Sequence, residues 1–144
     1  METEKRGIAV FGGSFNPPHI GHFRLALEIY ETFHDRLAEV HLVPCAHPPH
    51  KNARGLLPFA LRCRMLEEAT KDLSMILINT LERERESPSY TWETLQQLRM
   101  RHVGRPLYFV LGSDDYAELP DWYCGLNLPE LCTLLVVPRG GFSL

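Results

Sequence analysis

Hydrophobic positions in this chain gather into five short runs, and the stretches between them carry helical periodicity. Residues 7–11 are an apolar run ending in paired glycines, the pattern of a buried strand that stops abruptly. Residues 23–33 then set Leu25, Leu27, Ile29, Tyr30 and Phe33 among charged positions at roughly helical spacing. This predicts an amphipathic helix that begins near Ile20, after a Gly/Pro-rich turn. Residues 40–43 alternate too little for a half-exposed strand and read as a second buried one. Residues 44–57, rich in Pro, His and Gly, read as a loop. A helix follows from Pro58, with Leu61, Met65, Leu66 and Ala69 on its apolar side. Residues 75–78 predict a third strand, 89–101 a helix that Ser89 or Thr91 can cap, 107–111 a fourth strand and 134–137 a fifth.

Strands alternating with helices imply an α/β fold: a Rossmann-like, doubly wound parallel sheet of about five strands with flanking helices and right-handed crossovers. Ligands of such sheets sit beyond the carboxyl ends of the strands, where the strand order reverses. Attention therefore falls on the loops 12–21, 44–57, 80–89 and 112–122, and on the residues from 138 onward.

Length and composition narrow the partners. At 144 residues the chain fits a single domain with one real core, and 44% hydrophobic with 23% charged residues is ordinary for a globular protein. A net charge of -3 argues against a face built to neutralise a nucleic acid, while a small anionic ligand needs only a few local donors. Cys45, Cys63, Cys124 and Cys132 contain no C-x-x-C pair and fit reduced structural thiols, and neither a signal region nor a membrane-length apolar run is present. A cytoplasmic protein without a membrane partner is expected.

The richest chemistry lies after the first strand, in Gly12-Gly13-Ser14-Phe15-Asn16-Pro17-Pro18-His19-Ile20-Gly21-His22. The glycines let the backbone approach a ligand closely. The prolines stiffen the turn, and the start of the following helix offers amide groups and a positive dipole end to an anion. His19 and His22, three residues apart, fall on one face and can donate to the same phosphate oxygens. No Walker lysine follows, and the order is not that of the dinucleotide fingerprint.

This segment resembles the signature of the nucleotidyltransferase superfamily that includes the class I aminoacyl-tRNA synthetases, with its His-x-Gly-His element. Three further segments resemble those of the bacterial nicotinate-mononucleotide adenylyltransferases within it. They are Pro48-Pro49-His50-Lys51; Ser87-Pro88-Ser89-Tyr90-Thr91 with Glu93-Thr94-Leu95; and Leu111-Gly112-Ser113-Asp114 with Asp121-Trp122-Tyr123 behind it. The resemblance implies adenylyl transfer from ATP, accompanied by Mg²⁺, to nicotinate mononucleotide, giving deamido-NAD and pyrophosphate. His19 and His22 would stabilise charge on the α-phosphate. Gly12, Gly13, Ser14, Phe15, Gly21, Gly112 and Asp114 would complete the ATP site. His50, Lys51, Thr91, Trp122 and Tyr123 would hold the mononucleotide, with preference for the acid over the amide.

The residues alone leave blander alternatives open. Ser89 serves as well for a helix cap, Trp122 for core packing, and the alternating charges of residues 82–86 for a solvated segment. The spacing of Cys45, His47 and His50 fits no known zinc pattern, so no metal held by the protein is expected. Ser14 and Asn16 stand where the family usually has threonine and aspartate. The resemblance runs from Gly7 to about Gly141, and the final I-S-x-x-x-R type segment of the family has no counterpart. A single nucleotidyltransferase domain lacking that part is expected over residues 1–144. A non-catalytic nucleotide-binding module, or an adenylyltransferase for nicotinamide mononucleotide or pantetheine phosphate, are the alternatives.

Overall fold

The computed structural model describes residues 6–47, 55–83, 85 and 88–138. Five strands, β1 (Gly7–Gly13), β2 (Leu37–Pro44), β3 (Ile76–Ile78), β4 (Leu107–Gly112) and β5 (Thr133–Val137), form one parallel sheet in the order β3-β2-β1-β4-β5. Helices α1 (Ile20–Thr32), α2 (Phe59–Thr70), α3 (Thr91–Arg101) and α4 (Ser113–Glu118) connect them, with two 3₁₀ segments at Leu119–Asp121 and Gly125–Glu130.

Period-two alternation explains why two layers of helix are needed. Along β1, Ile8 and Val10 point to one face and Ala9 to the other; along β4, Phe109 joins the first set and Val110 the second. On one face Ala26 and Ile29 of α1 and Leu66 of α2 pack against Ala9, Val40, Leu42 and Val110. On the other, Leu95 and Leu98 of α3, with Leu119 and Leu128 of the 3₁₀ segments, cover Ile8, Val10, Phe109 and Leu111. Each such leucine contributes about 1.5–3 kcal/mol by leaving water. With both faces covered, the central strands read as nearly unbroken apolar runs.

Several expected boundaries move. β1 continues through the paired glycines because Gly12 and Gly13 pair in register with Val43 and Pro44, and β2 begins earlier, at Leu37. The buried side of α2 is Arg62, Cys63, Leu66 and Thr70, whereas Met65 and Ala69 face outward. Neither Ser89 nor Thr91 caps α3: Tyr90 occupies that position without a side-chain bond, and the Ser89 hydroxyl accepts from the His47 amide at 3.0 Å instead. The expected loop 112–122 is mostly helical, with Asp114 and Asp115 favourably placed in the first turn of α4. The charged run is not solvated at Glu82, which is 6% exposed and bonded to the Thr94 hydroxyl at 2.7 Å and the Ala46 amide at 3.2 Å.

Candidate active site

Strand order reverses between β1 and β4, and the carboxyl ends of these two strands carry two neighbouring cavities. The smaller, about 420 Å³, is lined by Gly12, Gly13 and Ser14 from β1 and its loop, Cys45 beyond β2, and Glu82, Ser89, Tyr90 and Thr91 before and at α3. Asp115, Glu118, Trp122 and Tyr123 close it from beyond β4. The larger, about 740 Å³, lies between α1 and α4 and is lined by His19, Gly21, His22, Arg24, Gly112, Ser113, Asp114 and Asp115. Val110, Leu111 and Asp115 line both, so the cavities share a wall.

The histidines are built into the start of α1. His19, the residue before the helix, turns its Nδ1 back to accept from the Gly21 amide at 3.1 Å, and the Nδ1 of His22 accepts from the His19 amide at 3.0 Å. The first-turn amides expected to meet an anion directly are thus partly occupied by imidazoles. An Nδ1 that accepts a hydrogen bond carries no proton, so a neutral ring must hold its proton on Nε2. Both rings therefore present Nε2–H donors, and they stack with centroids 3.8 Å apart. Burial, then the neighbouring His19, lowers the His22 pKa from 6.5 to about 4, which keeps that ring neutral near pH 7.

Glycine at position 21 leaves room for the His19 ring in this orientation. A Cβ there would lie 2.9 Å from Cε1 and 3.0 Å from Nδ1 of His19, closer than real contacts allow. Phe15 takes a left-handed φ of 47°, over-determined by its ring, which is buried against Phe11 and His22 with centroids 5.7 and 4.8 Å away. Its side chain, expected at the ATP site, is core at 1% exposure and steadies His22 from behind.

Of the remaining expected residues, Gly112 and Asp114 line the larger cavity beside the histidines, and Thr91, Trp122 and Tyr123 come together in the smaller one. Trp122 meets Phe109 edge-on at 6.4 Å and also lines the smaller cavity. Gly12, Gly13 and Ser14 line the smaller cavity. His50 and Lys51 lie outside the described residues. Among those described, no group of three His, Cys, Asp or Glu residues is arranged to hold a metal. The Cys45 thiol is pushed up to about 11, by burial and then by Glu82, which disfavours a thiolate there.

Sequence reasoning missed Glu82 and Arg62. Glu82 lines the smaller cavity while tying Ala46 to Thr94; Arg85 adds bonds to the Thr94 hydroxyl at 2.8 Å and to Gln97 at 2.6 Å. The available signal was the three-residue spacing from Glu82 to Arg85 opposite Thr94 and Gln97 on α3.

These features define an α/β domain with a histidine-capped helix start and paired cavities at its switch point. The chain belongs to the cytidylyltransferase-like family, whose model matches residues 10–140, and within it to the nicotinate-nucleotide adenylyltransferase family. It is 40% identical over 137 residues to the "probable nicotinate-nucleotide adenylyltransferase" of Bacillus cytotoxicus, a match spanning 95% of this chain and 71% of that protein. The namesake from Geobacillus kaustophilus is also 40% identical over 137 residues; there the match spans 95% of this chain but 62% of the relative. The chain therefore matches less than two-thirds of the length of the Geobacillus relatives. Among solved structures, Plasmodium falciparum nicotinic acid mononucleotide adenylyltransferase complexed with NaAD shares the fold. Its TM-score is 0.82 at 24% identity, covering 96% of this chain and 67% of that one. No helix among the described residues is long and apolar enough to cross a membrane.

Proposed function

We propose that the protein transfers the adenylyl group of ATP to nicotinate mononucleotide, as a cytoplasmic enzyme of NAD biosynthesis. The pair of cavities sharing a wall of Val110, Leu111 and Asp115 carries this reading: one holds the histidine donors, the other the aromatic and hydroxyl groups suited to a pyridine ring. In the reaction a phosphate oxygen of the mononucleotide attacks the α-phosphorus of ATP. The bond to the β-phosphate oxygen breaks, and its electron pair leaves with pyrophosphate. The Nε2–H groups of His19 and His22 donate to the α-phosphate oxygens as charge accumulates there, and the dipole of α1 supports them from behind. Gly21 keeps the His19 ring in place. Catalysis is then positioning plus charge stabilisation.

Mg²⁺ entering with ATP would be held largely by phosphate and water oxygens rather than by a protein cage. The ion would neutralise phosphate charge when bound. Selectivity for the acid follows from donors in the smaller cavity: a carboxylate accepts from the Thr91 hydroxyl and from amides near Tyr123, while a carboxamide must set its own NH₂ against them. The test is pyrophosphate release with ATP and either nicotinate or nicotinamide mononucleotide. Release that needs both nucleotides and is faster with the acid is expected. Binding without release would make the protein a nucleotide-binding module, and faster release with the amide would overturn the selectivity.

A further inference from the structure

Among the described residues the largest fully buried side chain is a cation, Arg62, 1% exposed near the start of α2. Its guanidinium is spent on backbone carbonyls from three separate segments. Nη1 donates to Ser14 and to Cys45, each at 2.8 Å, and Nε donates to Leu57 at 2.9 Å. The Phe59 ring lies 5.4 Å from its carbon. Ser14 and Cys45 both line the smaller cavity, one from the loop after β1 and the other from the end of β2. Asn16 completes the junction: its Oδ1 accepts from the Leu57 amide at 2.8 Å and its Nδ2 donates to the Gly55 carbonyl at 3.0 Å. Asn16 thus binds across to the segment that leads into α2, a bond set that an aspartate in its place could make only in part, having no donor for Gly55.

We infer that Arg62 and Asn16 are positioning residues that fix the loop after β1 against the loop after β2, and so set the spacing of the two ligand-bearing loops. The inference rests on the nucleotide-transfer reading of the site. A forked guanidinium holds three carbonyls in fixed relative positions, whereas a lysine ammonium is a single point on a flexible stem. Burying a charge to bind carbonyls is expensive, and the gain here is geometric. Misplacement of reacting groups by about an ångström can cost on the order of a hundredfold in rate even when each ligand still binds.

The test compares the unaltered protein with Arg62→Lys and Asn16→Ala. Turnover is followed by pyrophosphate release, and loop order by hydrogen exchange at the Cys45 and Leu57 amides without ligand. Arg62→Lys is expected to lower kcat by roughly tenfold to a hundredfold with KM for either nucleotide little changed. Exchange at both amides should rise while that of Val110 in β4 stays slow. Asn16→Ala, at an exposed position, removes the acceptor of the Leu57 amide itself, so here a smaller fall in kcat and faster exchange at Cys45 are the expected signs, and they decide the matter if Arg62→Lys does not fold. Unchanged kcat and exchange, raised KM at constant kcat, or activity lost only in proportion to unfolded protein would each overturn the inference. If the unaltered protein transfers nothing, the proposed function fails and the exchange of the two loop amides alone decides whether the clamp exists.

Discussion

Gly21→Ala separates the stability of this fold from its proposed chemistry. Position 21 lies in the exposed first turn of α1, where alanine is favoured over glycine by up to about 1 kcal/mol of helix propensity. Against this stands the His19 ring, which the new Cβ would approach to 2.9 Å and which must rotate away. Rotation breaks the bond from the Gly21 amide to Nδ1, a cap of the kind worth roughly 0.5–2 kcal/mol. The two effects nearly cancel, so the melting temperature should stay within a few degrees. Transfer does not enjoy the same compensation. Displacing one preorganised donor costs on the order of a hundred- to a thousand-fold in kcat, and the stacked His22 ring loses its neighbour as well. Thermal melting and a pyrophosphate-release assay on the same sample measure both quantities. Normal kcat in a well-folded Gly21→Ala protein would refute the view that the His19 ring is held by its bond to the Gly21 amide.

Two further outcomes follow from the same geometry. Nitrogen-detected NMR should show His22 as a neutral ring protonated on Nε2 from pH 8 down to the neighbourhood of its lowered pKa of about 4; a midpoint at the ordinary 6.5, or a proton on Nδ1, would contradict the capping arrangement. Because the folded value lies below the unfolded one, the unfolded chain takes up this proton first. The contribution to stability is complete above about pH 6.5 and is lost as the pH falls toward 4. Thr94→Val removes a buried hydroxyl that donates to Glu82 and accepts from Arg85, leaving both charged partners short of a bond. A loss of about 1–3 kcal/mol in urea unfolding is expected, and an unchanged unfolding midpoint would show that the network carries no stability.

The central sheet is legible in the sequence because its strands are covered on both faces and so appear as apolar runs with glycine or proline at their ends. α1 is legible because Leu25, Ile29 and their neighbours keep helical spacing beside an exposed Arg24. α2 misleads for a physical reason: its inward face includes Arg62 and Thr70, polar side chains that bond to carbonyls and so tolerate burial. The segment from Ser113 to Glu130 misleads differently. Its helical pieces are short, interrupted by Pro120 and Pro129, and hold no periodic stripe long enough to register. In the site, His19, His22, Gly21, Thr91, Trp122 and Tyr123 stand out by residue type and order. Glu82 does not, because a carboxylate in an alternating charged run looks solvated until Thr94 and Ala46 are seen to close over it.

The paired imidazoles at the start of α1 change what kind of control this site can have. A phosphate site built from bare amides is fixed once the helix forms, and one built from charged histidines rises and falls with pH. Here the His22 donor is an uncharged ring at the helix end, so above its lowered pKa of about 4 its readiness depends on ring orientation rather than on proton concentration. That orientation is held by local packing: the His22 Nδ1 accepts from the His19 amide, and the buried, left-handed Phe15 lies behind the His22 ring with centroids 4.8 Å apart.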